Sequence, residues 1–220
     1  MVNSHRKILK SGNEELKLIR VANTYNATGL SLTVPTSVKV GDLAVAYSST
    51  ATGPSPTVYS GFTEIASINS TFEDMFQYKI MTESDLGETF TRTNDNYDVA
   101  QMIFFRPTSG SFSTVSVQDI NNSGQTSGIP ADQVVDEAAP CIYFFPLSCY
   151  STTADNTGKM FRNGQNVTGQ GSNYRTMGEN GNQNRLYYLI NNDVSFPVTF
   201  KVDADYGSYN RLMSCAITFA

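Results

Sequence analysis

"VKVGDLAVAYSSTATGPSPTVYSGFTEI", from Val38 to Ile65, decides the fold class. Gly41 permits a turn and Asp42 caps it. Leu43, Val45 and Tyr47 then alternate with Ala44 and Ala46, so the run is apolar on both faces. That pattern fits a central strand covered on both sides. Pro54 and Pro56 mark a loose loop, and "SGFTEI" opens a second strand with Phe62 packing at its start.

Outward from this stretch, a period of two recurs along the chain. In "GLSLTVP", Leu30, Leu32 and Val34 alternate with Ser31 and Thr33; in "VTFKVD", Val198, Phe200 and Val202 alternate with Thr199 and Lys201. In "LMSCAITFA", Met213, Cys215, Ile217 and Phe219 share one face. Such alternation marks antiparallel strands with one face on a core. "VAQMIFF" (Val99–Phe105) and "APCIYFF" (Ala139–Phe145) are apolar on both faces and read as central strands. Pro146 is expected to end or bulge the latter, because proline cannot donate to a ladder. Asn163-Gly164, Asn180-Gly181 and similar pairs punctuate the runs. About a dozen short strands at this spacing predict one antiparallel β-sandwich of jelly-roll type. Two weakly similar halves could each supply strands to both sheets. Residues 1–24 read as an N-terminal docking arm and 25–220 as the sandwich. "SGNEELKLIR" is open between a capped helical turn, Ser11 to Glu14, and an extended lead-in. "PADQVVDEAAP" and the polar stretch Asn163–Asn184 read as loops, and "ESDLGE" as a short crossover.

The chain has 220 residues, 40% hydrophobic and 16% charged, with a net charge of -5. A nucleic-acid binder normally carries a basic stripe. The basic cluster here is confined to His5, Arg6, Lys7, Lys10, Lys17 and Arg20, interrupted by Glu14 and Glu15, so no nucleic-acid partner is expected. No stretch approaches the roughly 18–20 apolar residues that span a bilayer, and the first residues lack a signal peptide's apolar core. The expectation is a chain made in a cytoplasm that does not enter a membrane.

His5 is the single histidine, which argues against a Ser-His or Cys-His couple. Cys141, Cys149 and Cys215 lack metal-site spacing and read as buried, inert thiols. Neighbouring carboxylates such as Glu73 with Asp74 point to opposite faces of a strand. Asp203 with Asp205, and Asp95 with Asp98, read as solvated strand ends and turns. A hydrolase would need two acids converging in one cleft. Calcium at "TNDNYD" or "ADNTG" lacks the spaced ligands of a binding loop. No cofactor, metal or catalytic residue is assigned.

The order "LTVPTSVKVGDLAVAY", "YSGFTEI", "FQYKIMTESDLGETFT", "VAQMIFFRP" resembles a β-sandwich family of bacteriophage virion proteins found in tails, tail fibres and head decorations. Gly41 and Asp42 match the family's Gly-Asp. Gly61, Phe62 and Thr63 match its Gly-Trp-Thr, with Phe for Trp. Tyr78, Lys79 and Glu83 or Glu88 match its third element, and Arg106 the arginine ending its fourth. The likeness covers about Thr33–Pro107. It implies a non-enzymatic structural component of a virion that docks on neighbouring virion proteins, as a homo-oligomer with a trimer favoured. The alternative is a receptor- or glycan-binding module at a tail tip, with Tyr97, Tyr174, Arg175, Tyr206 and Tyr209 as contact residues for a partner or a host-surface glycan.

Overall fold

The computed structural model describes residues 17–27, 31–50, 57–68, 73–91, 99–112, 114–126, 129–137, 140–150, 158–167, 172–177, 182–192, 197–202 and 208–219. These residues form β1 (Leu18–Asn26), β2 (Leu32–Thr33), β3 (Leu43–Thr50), β4 (Thr63–Ile68), β5 (Glu73–Ile80), β6 (Thr89–Phe90), β7 (Val99–Pro107) and β8 (Val115–Thr126). There follow β9 (Gln133–Val135), β10 (Cys141–Tyr150), β11 (Gly158–Arg162), β12 (Gln165–Asn166), β13 (Ser172–Met177), β14 (Asn182–Asn191), β15 (Val198–Val202) and β16 (Ser208–Phe219). One 3-10 turn, Glu83–Asp85, occupies the expected crossover.

The strands pair antiparallel in layers. A first sheet has the order β1-β7-β3-β5-β4, and a second the order β13-β14-β10-β16-β8. A third, β12-β11-β15-β9, covers the far side of the second, and the pair β2-β6 lies over the first. The first sheet comes wholly from the N-terminal half of the chain, the second and third from the C-terminal half. This corrects the expectation that each half feeds both sheets. A jelly roll passes strands back and forth between facing sheets, and the described strand order does not display that exchange.

The layering explains the doubly apolar runs. In β3, Leu43, Val45 and Tyr47 face the second sheet, while Ala44 and Ala46 face the β2-β6 cover. In β10, Ile142 and Phe144 face the first sheet, and Tyr143, Phe145 and Leu147 face the third. The small side chains of β3 let Tyr59, Phe62 and Phe90 pack beneath β2-β6, with Phe62 and Phe90 edge-on at 5.1 Å. Phe105 and Tyr188 meet edge-on at 5.1 Å in the main core, and Phe145 stacks on Phe200 at 5.0 Å in the next layer. Each such ring contributes about 1.5–3 kcal/mol through burial alone. Gly158 makes the last contact feasible: a Cβ there would lie 2.1 Å from Phe200 Cζ.

Four local expectations need correction. Residues 18–24, read as the end of an arm, begin β1 and pair with β7. Pro146 stays inside β10, opposite Leu186. The ladder to β16 has no pair at 145 or 146 and resumes in the same register at Leu147↔Leu212. The missing N–H is thus accommodated as a gap on one side of the strand. "PADQVVDEAAP" contains β9. The polar stretch Asn163–Asn184 contains β12, β13 and the start of β14; Asn163-Gly164, both at positive φ, form the two-residue turn between β11 and β12.

Candidate functional site

The core between the first and second sheets is apolar at one end and polar at the other. Cross-strand register puts Gln101 beside Tyr47, and Ser49 beside Asp74, on the first sheet. On the second sheet, Asn184, Ser148 and Arg211 form one row. These seven side chains meet in a layer that is sealed from solvent.

Asp74 is its centre. Arg211 Nε lies 3.2 Å from Asp74 Oδ2, with both side chains 0% exposed. The Ser148 hydroxyl donates to the carboxylate at 2.8 and 3.0 Å. Arg211 Nη2 donates to Ser49 Oγ at 3.3 Å. Gln101 Nε2 donates to Asn184 Oδ1 across the sheets. Burial pushes the Asp74 carboxyl above its ordinary value of 3.8, against the pull of Arg211 and the hydroxyls. Burial first, and then the Asp74 charge, push the Tyr47 hydroxyl well above its ordinary value. The layer ties β3, β5 and β7 to β10, β14 and β16. Ser148 donates its proton to a carboxylate that Arg211 already answers, so the arrangement cross-links the sheets and presents no open cleft.

A second polar unit lies at the strand ends and contains Gly41 and Asp42. Gly41 turns at φ +88. Its N–H donates to Met81 O at 2.8 Å, and Met81 N–H returns a bond to Asp42 O. Asp42, buried, accepts Arg106 Nε at 2.7 Å and Nη2 at 2.6 Å. Lys39 N–H adds a third bond to the same carboxylate. The bonds from Asp42 raise Arg106 further above its ordinary value. Nearby, Gly61 at φ +75 leaves room for Lys79, whose ammonium a Cβ would approach to 2.7 Å. Lys79 pairs with Asp85 at 2.7 Å, not with Glu83 or Glu88. Burial alone would raise the Asp85 carboxyl, but bonds from Lys79 and Thr82 outweigh it and hold the group below its ordinary value.

Three of the contact residues expected from the sequence lie within described strands. Tyr97 and Tyr206 lie outside the described residues, as do Asp95, Asp98, Asp203 and Asp205. Tyr174 and Arg175 sit on the edge strand β13, opposite Leu186 and Arg185, and Tyr209 lies on β16. Glu73 and Asp74 do point to opposite faces of β5. The three cysteines are buried and unpaired by disulfides, and burial raises the thiols of Cys141 and Cys215. Among the described residues no group of three His, Cys, Asp or Glu side chains could hold a metal.

Sequence reasoning missed Arg211 and noted Asp74 only as a poor partner for Glu73. The signal was present: Asp74 lies two residues before Phe76, and Arg211 two before Met213, so each continues an inward face. No family model matches the chain, and no curated protein or solved structure matches it.

Proposed function

We propose that the chain is a non-enzymatic structural component of a bacteriophage virion, made in the host cytoplasm and assembled as a tail, fibre or decoration protein. The observation that carries this reading is the Asp42–Arg106 pair. The resemblance rests on a Gly-Asp and a strand-ending arginine, 64 residues apart, and these side chains meet in a bidentate bond. Motif positions that merely coincided in sequence would have no reason to touch. Gly61, Phe62 and Lys79, three further matches, cluster on the same outer face of the first sheet.

Docking on neighbouring virion proteins, or on further copies of the chain, is supported by the sheet edges. β1 is outermost in the first sheet and exposes Ile19 and Tyr25; β8 is outermost in the second and exposes Ile120. An edge strand offers backbone donors and acceptors to a partner strand.

Immunogold labelling of purified phage particles, with an antibody shown to bind the native chain, tests the reading. Gold on the capsid assigns a decoration role, and gold on the tail a tail or fibre role. Absence of gold from every particle would overturn the proposal.

A further inference from the structure

An open pocket of about 150 Å³ lies between the Gly41-Asp42 turn and the chain that leaves β7, with Lys39, Val40, Asp42, Arg106, Pro107 and Ser111 among its lining residues. Both walls are tied down. Val38 N–H donates to Pro35 O at 3.0 Å and Asp42 N–H to Lys39 O at 3.1 Å, which closes the turn. Thr108 N–H donates to Lys17 O at 2.7 Å, which anchors the chain beyond β7. The pocket is smaller than the roughly 300–1,000 Å³ usual for drug-sized ligands, so it suits a head group rather than a ring system.

Two features define that head group. The first is a guanidinium held in one orientation. Arg106 meets Asp42 side-on through Nε and Nη2, and Nη2 donates also to Ser37 O at 3.0 Å. Three of the five N–H donors are thereby used. Nη1 carries the other two, on the edge of the guanidinium away from Asp42, and has no partner among the described residues. The Arg106 side chain keeps 27% of its surface exposed, so these donors are reachable. The second feature is charge. Exposed Lys39 meets Asp42 only through its backbone N–H, and its ammonium has no partner among the described residues. The lining therefore holds two cations and one carboxylate, and Arg106 already answers that carboxylate. One positive charge is left over. A monoanion matches it. A phosphate group, at about −1.5 to −2 near neutral pH, would bring a second negative charge up to Asp42.

We infer that this pocket binds the carboxylate of a peptide, carried by a chain terminus or an acidic side chain. One carboxylate oxygen accepts from Arg106 Nη1 and the other from Lys39 Nζ, with the Ser111 hydroxyl as a further donor. Val40, 54% exposed, and Pro107 flank the cations and offer an apolar contact to the residue that bears the carboxylate. The Asp42–Arg106 pair then has a second use, because it aims the guanidinium. The site is separate from the loop tyrosines, and it stands whether or not the chain belongs to a virion.

The test is a proton–nitrogen NMR titration of the full chain with four probes: N-acetyl-Ala-Leu, its C-terminal amide, N-acetylglutamate amide and inorganic phosphate. Saturable shifts of the Val40, Gly41, Gly110 and Ser111 backbone amides are expected with a carboxylate probe and not with the Ala-Leu amide. Shifts from N-acetyl-Ala-Leu assign a chain terminus, and shifts from N-acetylglutamate amide an acidic side chain. Lys39→Gln, at an exposed position, should weaken binding about fivefold, the worth of one exposed ion pair, and Lys39→Arg should keep it. The rest of the spectrum reports that both variants stay folded. Unshifted amides with both carboxylates, equal shifts with the Ala-Leu amide, tighter binding of phosphate than of either carboxylate, or wild-type binding by Lys39→Gln would each overturn the inference.

Discussion

The two ends of the core between the first and second sheets are built on opposite principles. At one end Phe105, Phe144 and Tyr188 pack edge to face, and any similar apolar set of the same volume would serve. At the other, Asp74, Arg211, Ser148 and Ser49 have partners fixed in number and direction. The apolar end supplies stability without demanding one alignment. The polar end adds little net stability, because desolvation of a buried ion pair offsets its attraction, yet its cross-sheet contacts from Arg211 and Ser148 to Asp74 form in one register of the two sheets.

That contrast can be broken from either side. Removing one partner of the polar end should do the most harm: Arg211→Met strips the buried Asp74 of its cation, and should cost about 3–5 kcal/mol in denaturant unfolding. Phe144→Ala at the apolar end should cost a similar or slightly smaller amount, about 3–5 kcal/mol, through lost contacts and a cavity. A double replacement, Asp74→Leu with Arg211→Met, should recover most of the single-variant loss. If the double variant is as unstable as Arg211→Met, the polar end contributes stability and the contrast fails.

The pH dependence sharpens the same point. The folded Asp74 carboxyl titrates above its ordinary value of 3.8, so the fold favours its protonated form. That contribution is fully present below the unfolded value and is lost as pH rises through the folded one. Asp74→Asn should therefore flatten this part of the stability profile, from the unfolded value upward, and the Arg211→Met penalty should shrink as pH falls. The smallest effect is expected outside the core. Arg106→Gln should cost about 1–3 kcal/mol by leaving Asp42 poorly answered. A near-neutral result would mean the Gly-Asp turn holds without its arginine.

The sequence made the layers legible where side chains obey one rule. β3, β7 and β10 read as central because both faces are apolar, and both faces are in fact covered. β12 and β13 were illegible because they are polar strands formed by pairing with a neighbour rather than by their own periodicity. β9 is three residues long and carries too little pattern to find. The polar layer was illegible for another reason. Ser49, Asp74, Ser148 and Arg211 lie near strand ends, where solvated polar residues are ordinary, and only the facing sheet turns that place into an interior.

The division of sheets between the halves of the chain also bears on synthesis. All five strands of the first sheet leave the ribosome before any strand of the second. They can pair at once, but Leu43, Val45, Ile103 and Phe105 then face water until Ile142, Phe144 and the later strands arrive to cover them. During that interval the nascent chain carries an open apolar sheet face, with Asp74 solvated upon it. An acid at that place keeps one end of the waiting surface wet, and it is the last strand, β16, that brings the arginine to close it.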